Sequence, residues 1–90
     1  GVDVPMPEIS RFLGIVVHVY FEDHLPPHFH ARYGEFRIKV FIQDGVVEGR
    51  FPPRALRHLM EWYDLHRVEL QEDWMLASRG EDPLPIAPLE

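Results

Sequence analysis

Short apolar runs separated by turn residues predict β-strands in the first half of the chain. A run of β-branched and aromatic residues over 14–21 predicts the first strand, and residues 28–33 and 35–42 alternate polar with apolar side chains as half-buried strands do. Asp44-Gly45 predicts a hairpin turn, because both central positions of a type I′ turn have positive φ. Residues 46–51 then complete an antiparallel β-meander of about four strands.

The apolar spacing becomes helical after Pro52-Pro53, which cannot donate to a sheet ladder. One helix from residue 54 to 78 would be ~37 Å long, and its apolar stripe slips around residues 64–67. We therefore predict two helices, or one kinked helix, packed on one sheet face and ending before Gly80. Prolines predict an extended tail over 81–90. The whole chain, 1–90, is predicted to be a single α+β domain with its core at about 8–80.

Side-chain parity along the strands predicts one polar and one apolar sheet face. If Tyr33-Gly34 forms a two-residue turn, His30 pairs with Arg37 and His28 pairs with Lys39. If Asp44-Gly45 forms the next turn, Lys39 pairs with Arg50 on the same face. The helices are expected to cover the opposite face, which carries Phe29, Tyr33, Phe36, Ile38, Val40 and Ile42.

Composition and charge narrow the class of protein. The chain has 90 residues, 46% of them apolar, and no cysteine, which excludes disulfides and thiolate metal sites and fits a cytoplasmic protein. No apolar run approaches the ~18 residues that span a membrane, so we expect no membrane association. The net charge is −6, yet residues 32–60 carry six basic against three acidic side chains. A basic centre therefore lies between two acidic ends.

The densest chemistry lies in the run Asp23-His24-Leu25-Pro26-Pro27-His28-Phe29-His30, which contains three of the six histidines. Histidines beside guanidinium and ammonium groups are suited to bind phosphate or to move protons on a ribose hydroxyl. The pattern predicts His28 and His30 as catalytic residues if the protein is a metal-independent, ribonuclease-like enzyme. The predicted phosphate-binding or nucleic-acid-binding residues are His24, Arg32, Arg37, Lys39 and Arg50.

Metal binding is the main alternative for the same residues. His28 and His30 lie two apart on a strand and point the same way, and His24 or Asp23 could join them from the loop. The predicted neighbours Arg37 and Lys39 would repel a divalent cation. No cofactor is therefore favoured, although a divalent metal, physiological or adventitious, could bind at this cluster.

Five segments carry a resemblance to known proteins: Met6-Pro7-Glu8-Ile9-Ser10, the run from Asp23 to His30, Tyr33-Gly34-Glu35, Arg54-Ala55-Leu56 and Glu61-Trp62 through Leu65-His66-Arg67. Together they resemble a family of short bacterial and archaeal proteins, the domain of unknown function 4160 family. Such proteins are often encoded beside another small protein, so the resemblance implies a component of a toxin–antitoxin-type module with that neighbour as partner. Residues 1–5 precede the family's usual start, and we interpret them as a leader, another start site or a cloning remnant.

Two hypotheses from different classes follow. The first is a protein that binds RNA or phosphate through the polar sheet face. The second is a non-enzymatic interaction or dimerisation module, in which that face or the Pro83–Leu89 tail contacts a small partner or a second copy of the chain. The acidic total and the small size favour binding over turnover.

Overall fold

The computed structural model describes residues 6–90, and the interpretation of residues 1–5 lies outside them. Five antiparallel strands lie in sequence order in one sheet, and two helices follow, which confirms the predicted α+β meander with one strand more. The elements are β1 (Glu8–Phe12), β2 (Ile15–His18), β3 (His28–Tyr33), β4 (Phe36–Phe41), β5 (Val47–Gly49), α1 (Pro53–Leu65) and α2 (Arg67–Ser78). Neither helix is long and apolar enough to cross a membrane.

The additional strand is β1, which forms a hairpin with β2 through Leu13 and Gly14. Both turn residues have positive φ, 49° and 81°, as a tight hairpin turn requires. The alternation that would reveal β1 is interrupted, because the pairing register shifts between Glu8 and Ser10 and two adjacent residues, Ile9 and Ser10, are both buried. The strand predicted over 14–21 corresponds to β2, which is shorter and covers only Ile15–His18.

The predicted strand pairings are wrong by two residues at both central hairpins. The first turn is Gly34-Glu35, so His30 lies opposite Lys39 rather than Arg37. In the second hairpin Lys39 lies opposite Glu48 rather than Arg50, because the loop between Phe41 and Val46 is longer than a two-residue turn. Side chains alternate with a period of two, so a two-residue shift changes the partners and leaves the faces unchanged.

The helical segment divides at His66, which confirms the prediction of two helices. His66 has φ −126° and ψ 27°, outside the helical region, although its N–H still donates to the carbonyls of Trp62 and Tyr63. The second helix ends at Ser78, and beyond it Gly80 has a φ of 74° and its N–H donates to the Ala77 carbonyl at 3.0 Å. The break lets both helices pack on the same sheet.

The core lies between the helices and the face predicted to be apolar. Phe29 and Val40 are fully buried there against Leu59, Trp62 and Leu70. Phe36 is an exception, since it lies beside the Gly34-Glu35 turn at the sheet end and is exposed.

The tail is extended, as predicted, and it is packed rather than loose. The Ile86 N–H donates to the Ile9 carbonyl of β1 at 2.8 Å, and the Trp62 indole N–H donates to the Ala87 carbonyl at 2.8 Å. The tail therefore covers the outer edge of the sheet beside β1, which protects it from pairing with another strand.

Candidate functional site

A row of polar side chains crosses the sheet on the face that the helices leave uncovered. Cross-strand pairing puts Glu8, His18, His30, Lys39 and Glu48 in one line from β1 to β5. His18 and His30 stack with their ring centroids 5.5 Å apart, and Tyr20 meets His30 edge-on at 4.5 Å. His18 and Tyr20 thus lie on the polar face, next to the site residues that the sequence predicts.

Next to this row, Arg32 and Arg37 lie directly opposite each other on β3 and β4. We call them the arginine pair. Like charges in opposed positions of a sheet destabilise it. Within residues 6–90, neither guanidinium forms an ion pair or a hydrogen bond with a side chain. Arg37 is exposed and Arg32 is half-buried. The pair therefore presents two guanidinium groups that have no side-chain acceptor among these residues.

Lys39, unlike the arginine pair, lies close to an acidic and an aromatic side chain. Its Nζ lies 3.5 Å from Oε1 of Glu48 and 5.3 Å from the ring centroid of Phe41. Glu48 draws the ammonium toward β5, and both contacts offset part of its charge.

The loop between β2 and β3 brings Asp23 over the histidines of β3. Its position is set by the neighbouring Glu22 N–H, which donates to the Ala77 carbonyl of α2 at 2.9 Å, and the Leu25–Pro26 peptide bond of this loop is cis. Oδ2 of Asp23 lies 2.8 Å from Nε2 of His28 and 3.6 Å from Nε2 of His30. These three residues form the Asp23–His28–His30 cluster, whose potential ligand atoms all lie within 4.8 Å of one another.

The charge of Asp23 is supported by its neighbours. Burial raises the pKa of this carboxyl, but the His24 backbone N–H, the charge of His28 and the close imidazoles of His28 and His30 together hold the pKa below its usual value. The His24 N–H donates to Oδ1 at 2.8 Å. Oδ2 therefore remains directed at the two histidines of β3.

His28 is buried between two acceptors. Its side chain is 2% exposed and packs on Trp74, with ring centroids 5.1 Å apart. Nδ1 lies 2.7 Å from the Pro26 carbonyl oxygen, which can only accept, so Nδ1 carries a proton and donates it. Nε2 then faces the Asp23 carboxylate, and two lone pairs would meet there unless a proton or a cation lies between them.

His30 is the more open member of the cluster, with 23% of its side chain exposed. Burial lowers its pKa, and the charges of His28 and Lys39 lower it further against the opposing effect of Asp23. Its Nε2 is buried and has no hydrogen-bond partner among the described residues. In the same row, burial and the charges of His30, Arg32 and Arg37 lower the pKa of His18 to about 4.

The sequence-predicted site residues divide into two groups. Asp23, His28, His30, Arg32, Arg37 and Lys39 come together on or beside the polar face. His24 does not join the phosphate-binding set, because its side chain is 82% exposed and its Nδ1 turns to Oδ1 of Asp23 at 3.0 Å. Arg50 follows β5 and is exposed, without the predicted pairing to Lys39.

The catalytic assignment of His28 and His30 stays a prediction. His28 has no open route to a substrate, because its ring is enclosed by Asp23, Trp74 and the loop carbonyl of Pro26. Trp74 is not among the site residues that the sequence predicts. Its contact with His28 depends on how α2 packs at the sheet, which no local pattern reports.

Comparison with known proteins gives a family and no activity. A family model described as "Domain of unknown function (DUF4160)" matches residues 14–75. No curated protein gave a significant match, and no solved structure did. The match covers the sheet from the β1–β2 turn onward, the Asp23–His28–His30 cluster and most of both helices.

Proposed function

The chain belongs to the DUF4160 family, and from its polar sheet face we propose that it binds phosphate groups of nucleic acid, RNA in particular. One observation carries the proposal: Arg32 and Arg37 oppose each other across two strands, and no carboxylate among residues 6–90 lies within ion-pair distance of either guanidinium. A phosphate provides the missing anion, and guanidinium groups bind its oxygens in paired hydrogen bonds.

A small cleft beside the arginine pair supports the same ligand. Its volume is about 50 Å³, and its lining includes His18, Tyr20, His30 and Arg37. A cavity of about 10–15 Å³ on this measure already holds one water molecule, so the cleft has room for a small polar group such as a phosphate oxygen. The lowered pKa values of His18 and His30 keep both imidazoles neutral near pH 7, so each ring has one N–H to donate.

The proposal is for binding and not for cleavage. General acid–base catalysis needs a titrating nitrogen within hydrogen-bond reach of the substrate. Nε2 of His28 is held against Asp23, and Nε2 of His30 is buried. The net charge of −6 also confines attraction to this face, because the acidic remainder of the protein repels a polyanion. Moderate affinity that falls with salt is therefore expected.

The biological setting that we propose is a toxin–antitoxin-type module, in which the partner is a small protein encoded by a neighbouring gene. This part rests on the family resemblance and on no contact in the structure. Co-expression of the two genes tests it, since a stable complex should co-purify. Purification of both proteins as separate species, or as self-associated copies of this chain alone, would contradict it.

Localisation of the ligand tests the phosphate-binding proposal. In ¹H–¹⁵N correlation spectra of the labelled protein, a short single-stranded RNA should shift the amides of His30, Arg32 and Arg37 progressively. Inorganic phosphate should shift a subset of the same signals. The proposal fails if the RNA shifts no amide, or if the shifts lie on the exposed face of α1 instead.

A further inference from the structure

We propose that Asp23, His28 and His30 bind a divalent first-row transition-metal ion, with Oδ2 of Asp23 and the Nε2 atoms of both histidines as ligands. This inference does not rest on phosphate binding by the arginine pair. It rests on how the three side chains are held and on which of their atoms lack a partner.

His28 is prepared as a metal ligand by the loop. Its Nδ1–H donates to the Pro26 carbonyl at 2.7 Å, which fixes the ring orientation and leaves the lone pair on Nε2. Metal-bound histidines almost always donate their second ring nitrogen in this way, often to a backbone carbonyl. Because the side chain is nearly completely buried and packed on Trp74, its orientation does not depend on a bound ion.

The other two ligands meet at the same point. His30 directs a buried, unpartnered Nε2 toward Oδ2 of Asp23. The other carboxylate oxygen, Oδ1, already accepts a hydrogen bond from the His24 N–H, so Oδ2 is the oxygen that is available to an ion. A cation at the cluster would satisfy Nε2 of His30 and separate the carboxylate from Nε2 of His28.

The two distances from Oδ2 of Asp23 are close to the separation between ligands of a small tetrahedral ion. Ligands of a tetrahedral ion lie roughly 3.3 Å apart when each ligand bond is about 2.0 Å. The observed separations from Oδ2 of Asp23 are 2.8 Å to His28 and 3.6 Å to His30. The two histidine nitrogens are no further apart than 4.8 Å, and because Asp23 lies on a loop and His30 is partly exposed, both side chains can move toward this geometry.

The donor set points to a class of metal. Two imidazoles and one carboxylate favour zinc, cobalt, nickel, copper or iron over magnesium and calcium, which prefer oxygen ligands. Three protein ligands leave at least one position open, as in catalytic rather than structural zinc sites.

The cationic side chains near the cluster repel a bound metal ion less than the sequence predicts. Lys39 is opposite His30, but its ammonium is drawn toward Glu48 and Phe41, and Arg37 pairs with Arg32 instead of His30. The carboxylate of Asp23 lies inside the cluster and compensates at shorter range. The competitor that remains is a proton, which would make His28 an imidazolium paired with Asp23.

Metal titration of the tag-free, chelator-treated protein tests the proposal. Calorimetry with zinc should give one equivalent per chain, and cobalt(II) should give visible absorption bands of a four- or five-coordinate site. Asp23→Asn and His30→Gln should each weaken zinc binding by at least about tenfold, and His58→Gln, a histidine of α1, should leave it unchanged.

The ¹⁵N shifts of His28 separate the metal from the proton. In the zinc-loaded protein, Nε2 should lose its proton while Nδ1 keeps its own. The proposal is overturned if zinc does not bind, if both ligand variants bind it as tightly as the wild type, or if Nε2 of His28 stays protonated with zinc present. Circular dichroism on each variant ensures that a loss of binding is not a loss of fold.

Discussion

Arg32 and Arg37 face each other across β3 and β4, and neither guanidinium meets a carboxylate among residues 6–90. Because like charges in opposed positions of a sheet repel each other, an anionic ligand at the proposed site would remove a destabilising interaction. Substitution of one arginine should therefore change stability and binding in opposite directions.

The substitution Arg37→Glu should stabilise the free protein while weakening RNA binding. It turns a repulsive cross-strand pair into an attractive one, with a gain of roughly 0.5–1 kcal/mol in the free energy of unfolding. Urea denaturation measures the gain. Arg57→Glu on α1 has the same charge change and should stay within about 0.5 kcal/mol of the wild type. Equal effects of the two variants on stability would refute the repulsion at the arginine pair.

Asp23→Ala should destabilise the protein, because it leaves Nε2 of the buried His28 without a partner. The expected loss is about 1–3 kcal/mol, the cost of an unsatisfied buried polar group. His24→Ala removes the adjacent, exposed side chain and should change the free energy of unfolding by less than about 0.5 kcal/mol. Thermal and urea denaturation of metal-free protein compare the two. A harmless Asp23→Ala would mean that water replaces the carboxylate at the cluster.

Asp73 should make stability decrease as the pH rises between about 4 and 6. Burial raises its pKa to about 6 from 3.8, with smaller contributions from Glu69 and Glu72, against the Leu84 N–H that donates to Oδ1. Below pH 3.8 the carboxyl is protonated in both states, and above 6 it is ionised in both. In between, only the unfolded state loses the proton, which costs at most about 3 kcal/mol.

The variant Asp73→Asn cannot ionise and isolates this effect from other carboxyl groups. Urea denaturation from pH 4 to 7 should show the wild type losing stability relative to the variant as the pH rises. Carboxyls with lowered pKa values, Glu8 and Asp23, act in the opposite direction in both proteins and cancel in the difference. A difference that does not change with pH would exclude Asp73 as the source.

The tail should contribute to stability through one side chain. Ile86 is buried in the core beside β1, so Ile86→Ala should cost about 2–4 kcal/mol. Leu84 lies two residues earlier and its side chain is exposed, so Leu84→Ala should cost less than about 0.5 kcal/mol. Similar losses in the two variants would mean that the tail does not pack as described.

The sheet faces could be predicted from sequence because alternation is a local property. Phe29 and Val40 point into the core and His30 and Arg32 point out of it, whichever partner each residue has. The pairings themselves depend on the loop lengths, and both were predicted two residues away from the observed register. β1 escaped prediction because its bulge at Glu8 and Ser10 interrupts the alternation.

The sequence predicts most of the residues of the site but not how they are arranged. The density of histidines marked the correct segment, and parity put His28 and His30 together. The enclosure of His28 could not be predicted, since it requires a loop that returns Asp23 and a helix that brings Trp74 to the same ring. The Trp74 contact joins residues far apart in sequence, and the Asp23 contact depends on the conformation of the loop over 23–27, so a strand pattern encodes neither.

RNA affinity measured against salt tests the central claim most directly. Fluorescence anisotropy of a labelled single-stranded RNA would compare the wild type with Arg32→Gln/Arg37→Gln and with Arg54→Gln/Arg57→Gln, two exposed arginines of α1. The polar-face double variant should lose at least tenfold in affinity, and its salt slope should fall by about 1.4, near 0.7 for each lost phosphate contact. The α1 variant should bind almost as tightly as the wild type. Equal losses in the two variants, or no binding by the wild type, would contradict phosphate recognition by the arginine pair.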